Sequence, residues 1–120
     1  MLTMYGIKNC DTVKKACAWL TLHNIEFQFH DLRKDGLSEA LVQQWLEKLG
    51  FAALINKKGT TWRQLADKEK NITHNALALT LMLAKPTLIK RPIVTTNEHI
   101  YVGFTPAYYQ EIFNADQNRC

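Results

Sequence analysis

Apolar positions along the chain recur with two different periods, and the changes of period mark its elements. Leu2 to Tyr5 is a short apolar run closed by Gly6, which predicts a strand. From Asp11 to His23, Val13, Ala16, Cys17 and Leu20 recur at i, i+3, i+4 and i+7, the spacing of one helix face. Glu26 to Asp31 alternates, with Phe27 and Phe29 on one side, and predicts a second strand. This β-α-β order implies parallel strands joined by a right-handed crossover. Asp35-Gly36 marks a turn. Ser38 is placed to cap a second helix carrying Leu41, Val42, Trp45, Leu46 and Leu49, and Gly50 to end it. Residues 51–59 read as a loop, followed by a short helix near Thr61 to Ala66. Thr73 is placed to cap a further helix with Leu77, Leu81 and Ala84 on one side, stopped before Pro86. Ile93 to Thr95 and Ile100 to Val102 read as a hairpin around Thr96 to His99, and Thr105-Pro106 opens a last helix.

The order β-α-β, helices, β-β-α predicts an α/β fold in one domain spanning 1–120. Its core is expected over 1–31 and 86–115, with a helical insertion over 32–85. Hydrophobic residues make up 47% and charged residues 22% of the chain, a globular mixture able to bury a core. No apolar run approaches the roughly 20 residues that span a bilayer. Asn9, Cys10 and Asp11 interrupt the N-terminal apolar stretch too early for a secretory leader. The expectation is a soluble, cytoplasmic protein without a membrane partner. The three cysteines are an odd number, in a chain long enough to fold without staples, so reduced thiols are expected. The net charge of +4 comes from scattered basic residues. Without a block of like charge a nucleic-acid footprint is weakly supported and no nucleic-acid partner is expected, and the bias suits a small anionic substrate equally well.

Two cysteines offer different chemistry. Cys10 follows the first strand and precedes the first helix, at the carboxyl end of a strand, where ligands gather in open α/β units. A helix N-terminus carries free N–H groups and partial positive charge, which stabilise a thiolate. Lys8 and Lys14 are expected to add to this effect and Asp11 to oppose it. Cys17 lies on the apolar stripe with Val13 and Leu20 and is expected to be an inert core thiol. Seven helical residues span ~10 Å, whereas a disulfide needs Cα atoms within ~7 Å, so the two cannot pair locally. Val13 stands three residues after Cys10, so there is no C-x-x-C dithiol, and turnover needs a second thiol from elsewhere. Cys120 supplies it only if the tail folds back.

Other chemistries lack their signatures. Ala16 stands where a C-x5-R phosphatase loop needs arginine. The cysteines and His23, His30, His74 and His99 show no metal-ligand spacing, so no metal site is expected. Neither nucleotide-binding glycine motif is present. Arg91-Pro92 opens a strand after a long connection. The proline is either cis in a tight bend or a plain strand-edge residue, and Arg91 either clamps an anion or is solvated.

The stretches "YGIKNCDTVKKACAWL", "LINKKGTTWRQL", "LIKRPI" and "VGF" resemble the arsenate reductase-related family that includes the ArsC, Spx and YffB proteins, and most nearly the YffB branch. The likeness runs from Tyr5 to about Ala115. It implies a thioredoxin-like fold (β-α-β … β-β-α) with a helical insertion, Cys10 as the redox-active thiol, Arg91 as the substrate-side arginine and Pro92 as cis. Lys8, Asn9, Thr12, Lys14 and Pro92 are the residues expected around the substrate or glutathione. No bound cofactor is expected. Glutathione is the expected co-substrate, a small thiol or an oxyanion the substrate, and glutaredoxin a further partner of what is expected to be a monomer. Arsenate reductases resemble H-N-x-x-C at the active loop, whereas Gly6 holds the histidine's place here. Of their three arginines only Arg91 has a counterpart. The resemblance therefore implies a glutathione-dependent thiol reductase with one nucleophilic cysteine, not a fully equipped arsenate reductase. The alternative is a Spx-like adaptor binding RNA polymerase, although Val13 removes the Spx C-x-x-C switch.

Overall fold

The computed structural model describes residues 2–117, with side chains as far as Phe113. It divides into two compact units, one made of the residues up to His30 and from Arg91 onward, the other of Asp31–Lys90.

The first unit is built on a four-stranded sheet in the order β2-β1-β3-β4. Strand β1 (Thr3–Gly6) alternates, burying Met4 and Gly6 on one face. Helix α1 (Asp11–Leu22) follows and buries Val13, Ala16 and Leu20. Strand β2 spans Gln28–Asp31, two residues shorter than the alternation suggests. Asn24 takes a left-handed conformation (φ 59°), the Ile25 N–H returns to Leu20 O, and pairing begins only where Gln28 N–H reaches Leu2 O. Strand β3 (Ile93–Thr95) runs antiparallel to β1, with Met4 opposite Val94, both fully buried. Strand β4 (Ile100–Val102) completes the expected hairpin, with Ile93 opposite Val102. Helix α7 (Pro106–Gln117) starts as its sequence predicts, the Thr105 hydroxyl accepting the Tyr108 N–H at 3.0 Å. Its Tyr109 and Phe113, one turn apart, join Met4, Val13, Ala16, Leu20 and Val94 in one core. Edge-on aromatic contacts extend that core, Tyr109 meeting Phe104 at 4.6 Å and Phe113 at 5.3 Å between ring centroids.

The second unit is helical. Helix α2 (Glu39–Leu49) has the expected Ser38 cap, which accepts the Leu41 N–H at 3.1 Å, and buries Val42, Trp45 and Leu46. Gly50 ends it at φ 80°, a conformation that favours glycine. Residues 51–59 are not all loop. Past Gly50 the chain restarts as α3 (Phe51–Leu54), because Leu54 and Ile55 are pulled into the core. Helix α4 is Thr60–Gln64, and α5 (Asp67–Lys70) is a further turn, with the Glu69 carboxylate accepting the Ala66 N–H at 2.9 Å. Helix α6 (Asn75–Ala84) is capped by His74, whose Nδ1 accepts the Leu77 N–H at 3.3 Å, and not by Thr73. It buries Ala78 and Met82, while Leu77 is exposed. This helix is apolar on nearly every side, so its periodicity does not fix which face turns inward. It packs on α2, and a 3₁₀ turn at Pro86–Leu88 packs on α6. An isolated antiparallel bridge, Ile55 to Ile89, is flanked by Asn56 N–H to Leu88 O and Lys90 N–H to Leu54 O, both 2.8 Å.

Candidate functional site: a thiol at the start of a helix

Cys10 is the N-cap of α1. Its extended backbone (φ −88°, ψ 121°) lets the carbonyl accept the Lys14 N–H at 3.0 Å, while its own N–H closes a turn onto Ile7 O at 3.1 Å. The loop is thus held by its backbone, and the half-buried sulfur faces the first N–H groups of the helix. Partial burial pushes the Cys10 thiol up, but that is outweighed. The Val13 N–H, the hydrogen bond and positive charge of Arg91, and the Thr12 N–H all favour the anion and bring the thiol below its ordinary value. Cys17 differs. It is half-buried one turn beyond Val13, donates to the Met4 sulfur at 3.4 Å, and burial alone pushes its thiol up. The same residue type is therefore poised for attack at one position and kept protonated at the other.

The residues predicted for the site separate into groups. Arg91 meets Cys10 directly. Pro92 follows it through a cis peptide bond and is buried, its carbonyl accepting the Gly103 N–H at 2.8 Å. Thr12 takes part through its backbone N–H, and the side chains of Thr12 and Asn9 are exposed. Lys8 and Lys14 do not supply the charge beside the sulfur, since the groups that lower the thiol are Val13, Arg91 and Thr12. Both lysines instead line a recess with Val13, Cys17 and Phe29. Val13 is the residue that sequence reasoning missed, because it contributes its backbone. The only signal was its position, third in the helix, where a free N–H faces the cap.

The histidines are engaged elsewhere. His23 stacks on Trp19 at 3.8 Å and bonds its carbonyl, His30 lies against Tyr5, His74 caps α6, and His99 lies against Tyr101. Among the described residues no three His, Cys, Asp or Glu side chains gather as a metal site. No helix among them is long and apolar enough to cross a membrane. Cys120 lies outside the described residues.

A four-stranded mixed α/β sheet with a cysteine after its first strand and a cis-proline before its third defines a thioredoxin-like protein. The profile of the ArsC family matches residues 5–112, and the chain belongs to that family. An uncharacterized protein of Haemophilus influenzae is 47% identical over 94% of this chain and 99% of its own length. The global transcriptional regulator Spx 1 of Lactococcus lactis is 30% identical over 87% of this chain and 82% of its own. The solved structure of a YffB protein superposes with a TM-score of 0.87 at 38% identity, covering 92% of this chain and 97% of that one.

Proposed function

We propose that this chain is a glutathione-dependent thiol oxidoreductase in which Cys10 is the nucleophile. The observation that carries the reading is the Cys10 sulfur held between the Val13 and Thr12 N–H groups and the Arg91 guanidinium, which together lower its pKa. In this scheme the Cys10 thiolate attacks one sulfur of a disulfide substrate. A mixed disulfide forms and the second sulfur leaves as a thiolate, stabilised by Arg91. The thiolate of glutathione then attacks the mixed disulfide, and Cys10 leaves again as the anion. A second glutathione thiolate then attacks the glutathione sulfur of the released glutathione–substrate disulfide, forming oxidised glutathione and freeing the substrate's remaining sulfur as a thiolate, so two electrons pass from two glutathiones to the substrate. A cysteine with a lowered pKa suits both steps, because at a given pH more of it is thiolate than of an ordinary thiol and it is the better leaving group.

The test is to expose the protein to oxidised glutathione and read peptide masses. A glutathione adduct is expected on Cys10, none on Cys17, and Cys10→Ser is expected to lose adduct and turnover together while unfolding at the wild-type temperature. Turnover by Cys10→Ser would overturn the scheme. The pH dependence has a definite sign. Because its pKa is lowered, Cys10 is expected to alkylate at lower pH than an ordinary thiol, and Cys17 only at higher pH. Arg91→Ala removes a cation that favours the anion, so its Cys10 profile is expected to move to higher pH.

The likeness to the Lactococcus regulator supports a second reading, a Spx-like adaptor that docks on RNA polymerase. Capture of polymerase subunits equally well by wild type and Cys10→Ser would favour it.

A further inference from the structure

Strand β2 is an edge of the sheet, with β1 on its inner side. The Gln28 N–H points inward to Leu2 O, so the pleat turns the backbone groups of Phe27, Phe29 and Asp31 to the open side. The far end of that side is already closed. Asp35 Oδ2 accepts the Asp31 N–H at 2.9 Å, and the Asp35 N–H donates to Asp31 O at 2.8 Å. Phe27, which precedes β2, and Phe29 within it meet no such backbone partner among the described residues. Beside them lies an open recess of about 620 Å³, lined by Thr21, Asn24, Ile25, Glu26, Phe27 and Gln28. Native edges are commonly blunted by lysine or proline, and the stretch IEFQFH (25–30) contains neither.

This open stretch is complementary to itself. Two copies running antiparallel about a two-fold axis exchange backbone hydrogen bonds only through residues whose groups face outward. With Asp31 engaged, Phe27 then stands opposite the second copy's Phe29, twice over, and Gln28 stands opposite its own counterpart on the axis. A slip of two residues either way would call on Asp31, held by Asp35, or on Ile25, whose N–H is held by Leu20 O at 2.9 Å. On one face this register pairs the Phe27 and Phe29 rings, both half-buried against the core of the sheet unit. On the other it sets Glu26, the only carboxylate of the stretch, opposite a His30 ring able to donate to it. We propose that the chain forms a symmetric dimer through this edge, joining two four-stranded sheets into one continuous sheet. Any extended peptide offers backbone groups, but the paired rings and the Glu26–His30 match single out a second copy. The edge takes no part in the Cys10 chemistry, so the two readings stand or fall apart from one another.

Sedimentation of the full chain over a series of concentrations is the test, with reductant present to exclude cysteine-linked pairs. A reversible monomer–dimer equilibrium is expected. Gln28 is exposed, so changing it leaves the monomer intact. Gln28→Lys and Gln28→Glu each set like charges against one another on the axis and are expected to weaken the dimer by about tenfold or more. An equimolar mixture of the two variants sets opposite charges there and is expected to restore the dimer. Exchange of the Phe29 amide, read by NMR, is expected to slow with rising concentration in the wild type and not in Gln28→Lys. Cys10→Ser is expected to dimerise as the wild type does. A monomer at every concentration, a Gln28→Lys dimer as tight as the wild type, or a mixture no tighter than either variant alone would each overturn the proposal.

Discussion

The two compact units hold their residues by different means. In the sheet unit long-range order comes from strand pairing. Met4 sits opposite Val94 and Ile93 opposite Val102, and two helices of regular period close one shared core of aliphatic and aromatic side chains. In the helical unit the pieces are short, α3, α4 and α5 being four or five residues each. Isolated helices of that length are unstable in water. They persist here because each is tied to something else: α3 runs into the backbone bridge joining Ile55 to Ile89, α4 shares a 2.6 Å hydroxyl hydrogen bond between Thr61 and Thr87, and the Glu69 carboxylate closes the start of α5. Regular periodicity therefore holds the unit that carries the thiol, and capping and burial of a few large side chains hold the other.

Substitutions can break this contrast at different depths. Trp45→Ala is expected to have the largest effect, because it removes a fully buried ring from the face of α2 that also buries Val42 and Leu46. The cost is about 3–5 kcal/mol, measured as the fall in unfolding free energy in urea. Gly6→Ala tests the sheet unit. An added Cβ would stand 2.8 Å from Val13 Cγ2 and 3.0 Å from Cγ1, overpacking that costs about 1–3 kcal/mol. Because α1 must shift to make room, the pH profile of Cys10 alkylation should change along with stability. An alanine variant with wild-type stability would show that the β1–α1 approach is loose. Ser38→Ala should be mildest, about 1 kcal/mol, with no change in Cys10 reactivity.

Much of the sheet unit was legible in the sequence because its signals are local. Thr105-Pro106 carries its own cap, the hairpin its two alternating strands, and Cys10 its place between a strand and a helical stripe. In the helical unit Ser38 and Gly50 were legible for the same reason. What escaped depends on contacts between distant residues. Leu54 and Ile55 turn a polar-ended loop into a helix by being buried, which no window around Gly50 reveals. Ala78 and Met82 face inward because of what packs on α6, and a uniformly apolar helix gives no clue to its phase. At the site, the helix-end thiol was readable from position alone, and its pairing with Arg91 was suggested only by family resemblance. The recess of Lys8 and Lys14 was hidden because Phe29 reaches it from a different element.

The close approach at Gly6 also constrains the history open to this sequence. Arsenate reductases of the resembling type carry a histidine at that place in the active loop. With Val13 where it stands, the first carbon of any side chain at position 6 already collides with two methyl groups and comes within 3.5 Å of the Phe29 ring. A change from glycine to histidine and a change from valine to something smaller are therefore not independent events. For the histidine to be accommodated, either Val13 shrinks or α1 shifts, and with valine in place glycine is favoured at position 6. The motif lacks two residues here, with Gly6 at its histidine and Ile7 at its asparagine, and restoring the first carries with it the displacement of Val13.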